Sequence, residues 1–309
     1  MTIEHLSLSG GCIWGLYQYG ILKQLNKEGF WKIEDIKSIT ATSVGSIVVT
    51  VFILKIEFES MDTYLIDRPW DIVLNGSTYN ILEAFNACGL MNKQCFYDFF
   101  LPLFKSRDLD INITLSEFYK YSGIDFYIYA SELNNFEAIE FHYSTYPDWK
   151  LIDVIYASCT LPTIFSPIIE RNKCYIDGGL FNNYPVINTL KRVTDHDTIL
   201  GVCIDPQMPN DESTIITENS SIIDFTGILI RKVLKNVIVV CNNTGIIKYE
   251  IITFTDETTI GIMKKVANSR EYRKQLIEDG EKEGLFYFRK WEEEQEEQKE
   301  QEEQKDKSS

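Results

Sequence analysis

The sequence predicts an α/β protein in three layers, a mainly parallel central sheet with helices on both faces. Three observations carry this expectation. The chain opens strand, helix, strand, helix, the order that builds a parallel sheet with right-handed crossovers. Further strand-like runs, "KCYIDGG", "TILGVCID" and "YEIITFT", are separated by helical stretches. The 309 residues, 44% of them apolar, suffice for one large domain with a substantial core.

The elements follow in order. "HLSLS", His5 to Ser9, alternates apolar and polar residues and runs into the Gly10-Gly11 turn. Leu16, Tyr19, Leu22 and Leu25 recur at helical spacing, and Gly29 supplies the stop. "IKSITA" is a second strand. "VGSIVVTVFILKI" is rich in β-branched residues, but its length and its place after a tight turn favour a buried helix. Residues 60–110 read as a helical, aromatic-rich insertion with Pro102 as a breaker. "TLSEFYKYSG" carries a capping box, Thr114 with Glu117, and a glycine stop at Gly123. "DFYIYASEL" and "FEAIEFHY" pair through Asn134-Asn135, and "DWKLIDVIYASCTLPTIF" is helical until Pro162. "VINTLKRV", "SIIDFTGILIRKVLKNVIVV" and residues 258–279 are further helices. From Trp291 the chain holds nine acids against three lysines with no apolar spacing. Residues 290–309 are therefore expected as a solvated acidic tail, disordered or a frayed helix, following a domain over 1–289.

Composition excludes several classes. A formal charge of −16 argues against nucleic acid, which needs clustered Lys and Arg. Seven cysteines without a C-x-x-C pair fit reduced thiols and no structural zinc. No basic and apolar leader opens the chain, and the longest apolar run, Val44 to Ile56, is shorter than the ~20 residues of a span. The expectation is a soluble, cytoplasmic protein, peripheral to membranes at most.

Ser43 stands between a strand and an apolar helix in "A-T-S-V-G". A serine alcohol needs a nearby base and an open presentation to act as a nucleophile. A sharp strand-to-helix turn gives the presentation, with the small residues Ala41 and Gly45 two before and two after it. The other reading is an N-cap serine. "SGGCIWG" ends a strand on Gly10 and Gly11 ahead of a helix, exposing N–H groups that can bind an oxyanion. It is a poor dinucleotide loop, with Cys12 at the middle glycine position and no acid closing the second strand. Asp177 ends a strand before Gly178 and Gly179, either as a turn or as a carboxylate offered at a sheet end. If every strand is parallel, Gly10-Gly11, Ser43 and Asp177 meet at one edge. His5 and His196 precede their strands and so lie at the opposite edge, while His142 lies near a hairpin. A Ser43/Asp177 dyad is therefore preferred to a Ser-His-Asp triad.

Taken together, these segments resemble the patatin-like phospholipase family over roughly residues 5–205. The glycine loop maps to Gly10, Gly11, Cys12 and Gly15, the elbow to Ala41 through Gly45, and the aspartate motif to Asp177 through Gly179. "YASCTLPTIFSPI", residues 156–168, is similar to the family segment before the aspartate strand. The resemblance implies a patatin-like fold and a lipid acyl hydrolase with Ser43 as nucleophile and Asp177 as proton acceptor. Gly10, Gly11 and Cys12 would form the oxyanion hole, and no metal or organic cofactor would be needed. The implied partner is a lipid substrate at a membrane or lipid surface. The other readings are a soluble Ser-His-Asp esterase and an inactive lipid-binding relative. Three departures stand out: Cys12 for a third loop glycine, Trp14 for a basic residue, and Ala41 for the first elbow glycine. The aromatic run from Phe85 to Phe104 reads as either core or an apolar wall over an acyl chain.

Overall fold

The computed structural model describes residues 2–75, 77–207, 216–218, 225, 226, 228, 229, 232, 244–256 and 260–308. β1 (His5–Leu8), α1 (Gly15–Lys27), β2 (Ser38–Thr42) and α2 (Val44–Ile53) give the predicted opening. After them come α3 (Phe58–Asp67), α4 (Trp70–Asn75), α5 (Ile81–Ala87), β3 (Gly89–Met91), α6 (Gln94–Lys105) and α7 (Leu115–Ser122). The chain continues with β4 (Asp125–Glu132), β5 (Glu137–Phe141), α8 (Leu151–Cys159), β6 (Thr163–Phe165), β7 (Ile168–Glu170) and β8 (Lys173–Asp177). α9 (Gly179–Asn182), α10 (Val186–Arg192), β9 (Ile199–Gln207) and β10 (Tyr249–Asp256) precede helices over Ile260–Asn268 and Arg270–Ser308. Most of the helix expected over residues 221–240 lies outside the described residues.

Eight strands form the central sheet in the order β10-β9-β1-β2-β4-β8-β7, with β5 also on β4. Its five-strand block β10 to β4 is parallel. The two faces are legible along β9, where side chains alternate. Leu200 and Val202 join the main core with α1, α2 and α8, whereas Ile199 and Cys203 join a second cluster with Tyr184 and Val186. Helices thus cover both faces.

β8 departs from the parallel pattern: it runs antiparallel to β4, with Ala130 opposite Asp177. Register shows where it sits. β5 occupies one edge of β4 from Ile128 to Glu132. β2 at 125–129 and β8 at 130–132 therefore share the other edge, meeting tip to tip. Ser43 leaves β2 at this seam, and Asp177 arrives there from the opposite direction. The two residues converge, but because two opposed strands meet end on, not because all strand C-termini share an edge.

One further expectation is corrected. Pro102 lies inside α6 and does not break it. Phe100 and Phe104 are fully buried on that helix, and their packing outweighs the ~3 kcal/mol a mid-helix proline costs. The run from Phe85 to Phe104 is accordingly divided: α6 is core, while Phe85 on α5 is 86% exposed. The acidic stretch continues the helix from Arg270 to Ser308, and through residue 302 its side chains are mostly exposed. Glu, Gln and Lys are strong helix formers, and the helix is already nucleated where it packs on α1. Among the described residues, no helix is long and apolar enough to cross a membrane.

Candidate active site

Ser43 is placed by the turn between β2 and α2, with φ 52° and ψ −131°. A non-glycine residue rarely holds such angles, and it does so where the surroundings over-determine it. Gly45, two residues on, presses against the Ser9 carbonyl at 2.7 Å from where a Cβ would stand, so only glycine lets α2 begin this close to β1. Ala41, the other small residue, is fully buried in β2. The hydroxyl makes no helix cap. Instead Ser43 Oγ donates to Asp177 Oδ2 at 2.7 Å, which is not the bonding of an N-cap serine.

Asp177 satisfies both of its sequence readings at once. Its Oδ1 accepts the Gly179 N–H at 2.7 Å, closing the Asp-Gly turn, while Oδ2 faces Ser43. Gly178 packs on the Tyr129 backbone, where a side chain would collide. Asp177 is 6% exposed. Burial pushes its pKa up to about 6, partly offset by the hydrogen bonds from Ser43 and Gly179. A carboxylate so placed is a stronger base than one in water, yet is still ionised at neutral pH.

The glycine loop lies beside the pair. Gly11 and Cys12 make no backbone N–H bond to the described residues, so these two donors are open. Gly10 is placed differently: its N–H donates to the Asn183 carbonyl at 3.0 Å and so is not an open donor like those of Gly11 and Cys12. Gly10 remains part of the wall, since a Cβ there would stand 3.0 Å from Ser43 Cβ. Gly15 packs against Val44, and Gly179 against Asp177 and Asn183. Cys12 has φ 51°, a glycine-favouring conformation held by a residue with a side chain. Burial, reinforced by the Asp177 charge, pushes its thiol up to about 12 although a hydrogen bond from the Ile13 backbone opposes this. Cys159 is likewise held well above the ordinary thiol range by burial, then by Asp177. Neither thiol competes with Ser43 as an anion.

Sequence reasoning missed Ser158. Its hydroxyl accepts the Ser43 N–H at 2.8 Å and donates to the Tyr129 carbonyl of β4, and its backbone carbonyl accepts the Gly178 N–H at 3.2 Å, so Ser158 holds both sides of the seam. The signal was present in "YASCTLPTIF", but nothing in the string says that the serine looks back to residue 43. The histidines stay away. His5 bonds Ser38 Oγ at 2.7 Å, His142 bonds Ser144 Oγ at 2.8 Å and Asp125 Oδ1 at 3.4 Å, and His196 bonds the Leu190 carbonyl at 3.3 Å.

A sequence model of the patatin-like phospholipase family matches residues 6–190. Among curated proteins, the chain is 28% identical over 191 residues to "Probable lipid hydrolase 463L" of Invertebrate iridescent virus 6, covering 60% of this chain and 63% of that protein. It therefore spans less than two thirds of that relative's length. It is 24% identical over 215 residues to "Uncharacterized protein R571" of Acanthamoeba polyphaga mimivirus, covering 70% of each. Among solved structures it is similar to VipD from Legionella pneumophila, with TM-score 0.54 and 14% identity, covering 93% of this chain and 67% of that one. That likeness is one of fold. The family match takes in the glycine loop, the Ser43 elbow and the Asp177 strand, and it covers more than half of the chain: the chain belongs to the patatin-like phospholipase family.

Proposed function

We propose that the chain is a lipid acyl hydrolase that cleaves carboxylic esters through a Ser43/Asp177 dyad and an acyl-enzyme. The observation that carries this reading is the 2.7 Å Ser43–Asp177 hydrogen bond at a positive-φ elbow. Asp177 takes the Ser43 proton as Oγ attacks the acyl carbonyl, whose π electrons move onto its oxygen. The Gly11 and Cys12 N–H groups receive that oxyanion. As the tetrahedral centre collapses, the C–O bond to the alcohol breaks and the alcohol leaves with the proton from Asp177. A water then gives its proton to Asp177 and attacks the acyl-serine, and the fatty acid is released with the proton returned to Ser43.

The lipid character of the substrate is supported by family membership and by the name of the iridescent virus relative, a probable lipid hydrolase. A histidine triad finds no support, because each histidine is bonded elsewhere. The test is hydrolysis of phospholipid vesicles by the purified full chain beside Ser43→Ala. Loss of fatty-acid release in the variant supports the reading. Equal release from both proteins, or none from either, contradicts it.

A further inference from the structure

We infer that the Asn183 side-chain carboxamide is a third oxyanion donor, replacing the Gly10 N–H that is bonded away; this rests on the reading of Ser43 as nucleophile. Asn183 is 7% exposed, yet its carboxamide makes no hydrogen bond among the described residues. Its polar atoms are not among the sealed, unpartnered ones, so they stay reachable, and a ligand entering beside the dyad can take the place of water on them. Its position agrees. A Cβ at Gly10 would stand 2.5 Å from Asn183 Oδ1 and 3.0 Å from Ser43 Cβ. A Cβ at Gly179 would stand 3.0 Å from the same Oδ1 and 2.9 Å from Asp177 Oδ1. The carboxamide is thus wedged beside both members of the dyad and against the glycine loop.

Its backbone is fixed to the reacting parts. The Asn183 carbonyl accepts the Gly10 N–H at 3.0 Å, and the Thr42 hydroxyl donates to the Asn182 carbonyl at 2.7 Å. The segment after α9 therefore clamps the loop and the elbow together. With no hydrogen bond to fix which end is nitrogen, the carboxamide can turn Nδ2 toward an acyl oxygen. As the bond from Ser43 Oγ to the carbonyl carbon forms and negative charge moves onto the oxygen, Nδ2–H donates to it beside Gly11 and Cys12. The proton stays on nitrogen. A side-chain amide is a well-suited donor here because it carries no charge that the substrate must displace. Donation to Asp177 Oδ1 would be a different role, acting on the base, and it would move the pH profile.

The experiment compares wild type, Asn183→Ala, Asn183→Leu and Ser43→Ala as full chains, using a p-nitrophenyl acyl ester and a fluorophosphonate. Asn183→Ala is expected to lower kcat about 100-fold, with KM, the pH midpoint and the melting temperature little changed. Fluorophosphonate labelling should slow in parallel, since it passes through the same kind of oxyanion. Asn183→Leu, nearly the same shape with neither the N–H donor nor a charge beside Asp177, should lose as much; it carries the test if the alanine variant fails to fold. A kcat within about threefold of wild type overturns the inference, as does a loss that comes with a shifted pH midpoint. If wild type itself neither hydrolyses nor labels, or Ser43→Ala matches it, the nucleophile reading fails and this inference with it.

Discussion

In the proposed dyad, Asp177 ties catalysis and stability together in one carboxyl. Its native pKa of about 6 lies above the ordinary 3.8. Between those values the native state keeps a proton that the unfolded chain releases, so stability falls as pH rises through that window, by at most about 3 kcal/mol. Asp177→Asn cannot ionise. It should abolish ester hydrolysis yet raise the melting temperature at pH 7.5, with little difference at pH 4, as scanning calorimetry would read. The same titration sets activity: hydrolysis by wild type should climb with a midpoint near pH 6, since only the ionised carboxylate accepts the Ser43 proton. Cys12 makes a separate point. Its φ of 51° costs roughly 1–2 kcal/mol for a residue with a Cβ. Cys12→Gly should therefore move the urea midpoint up while keeping ester hydrolysis; a midpoint that falls would show that the thiol's packing outweighs the strain.

At the scale of elements, the proposed catalytic pair is assembled by a seam. β2 and β8 share one edge of β4, and Ser158 from α8 bonds across the gap. Ser158→Ala leaves the Ser43 N–H without that partner, so it should lower kcat at least tenfold at unchanged KM, while Ser158→Thr restores part of it. Much of this was legible in the string. The Ser43 elbow, the glycine loop, the Thr114 capping box and the β4–β5 hairpin follow from short-range spacing, which sequence carries directly. What could not be read is long-range. The antiparallel course of β8 depends on partners more than forty residues apart, and the diversion of the Gly10 N–H to Asn183 on partners 173 apart. Pro102 inside α6 is of the same kind, because tertiary burial of Phe100 and Phe104 overrides local propensity.

The whole molecule extends beyond the part that resembles the family in sequence. The C-terminal helix crosses α1 so closely that a Cβ at Gly280 would collide with the Tyr17 backbone. Phe30 gathers Tyr249, Tyr287, Phe288 and Trp291 around it at ring distances of 5.7, 5.8, 6.4 and 5.1 Å. Residues after 205 thus complete the core under the catalytic sheet. Truncation after Trp291 removes only the acidic exposed end and should change stability by no more than about 0.5 kcal/mol. Truncation before Phe286 strips the aromatic cluster and should cost several kcal/mol, read as a large drop in the urea midpoint. The central claim remains the joining of two residues 134 positions apart in one reacting pair. Its most direct test is mass spectrometry of the full chain after reaction with a fluorophosphonate, followed by peptide mapping. The account predicts a single adduct on the peptide bearing Ser43, absent in Ser43→Ala and strongly reduced in Asp177→Asn. An adduct on another residue, or unchanged labelling of Asp177→Asn, would contradict it.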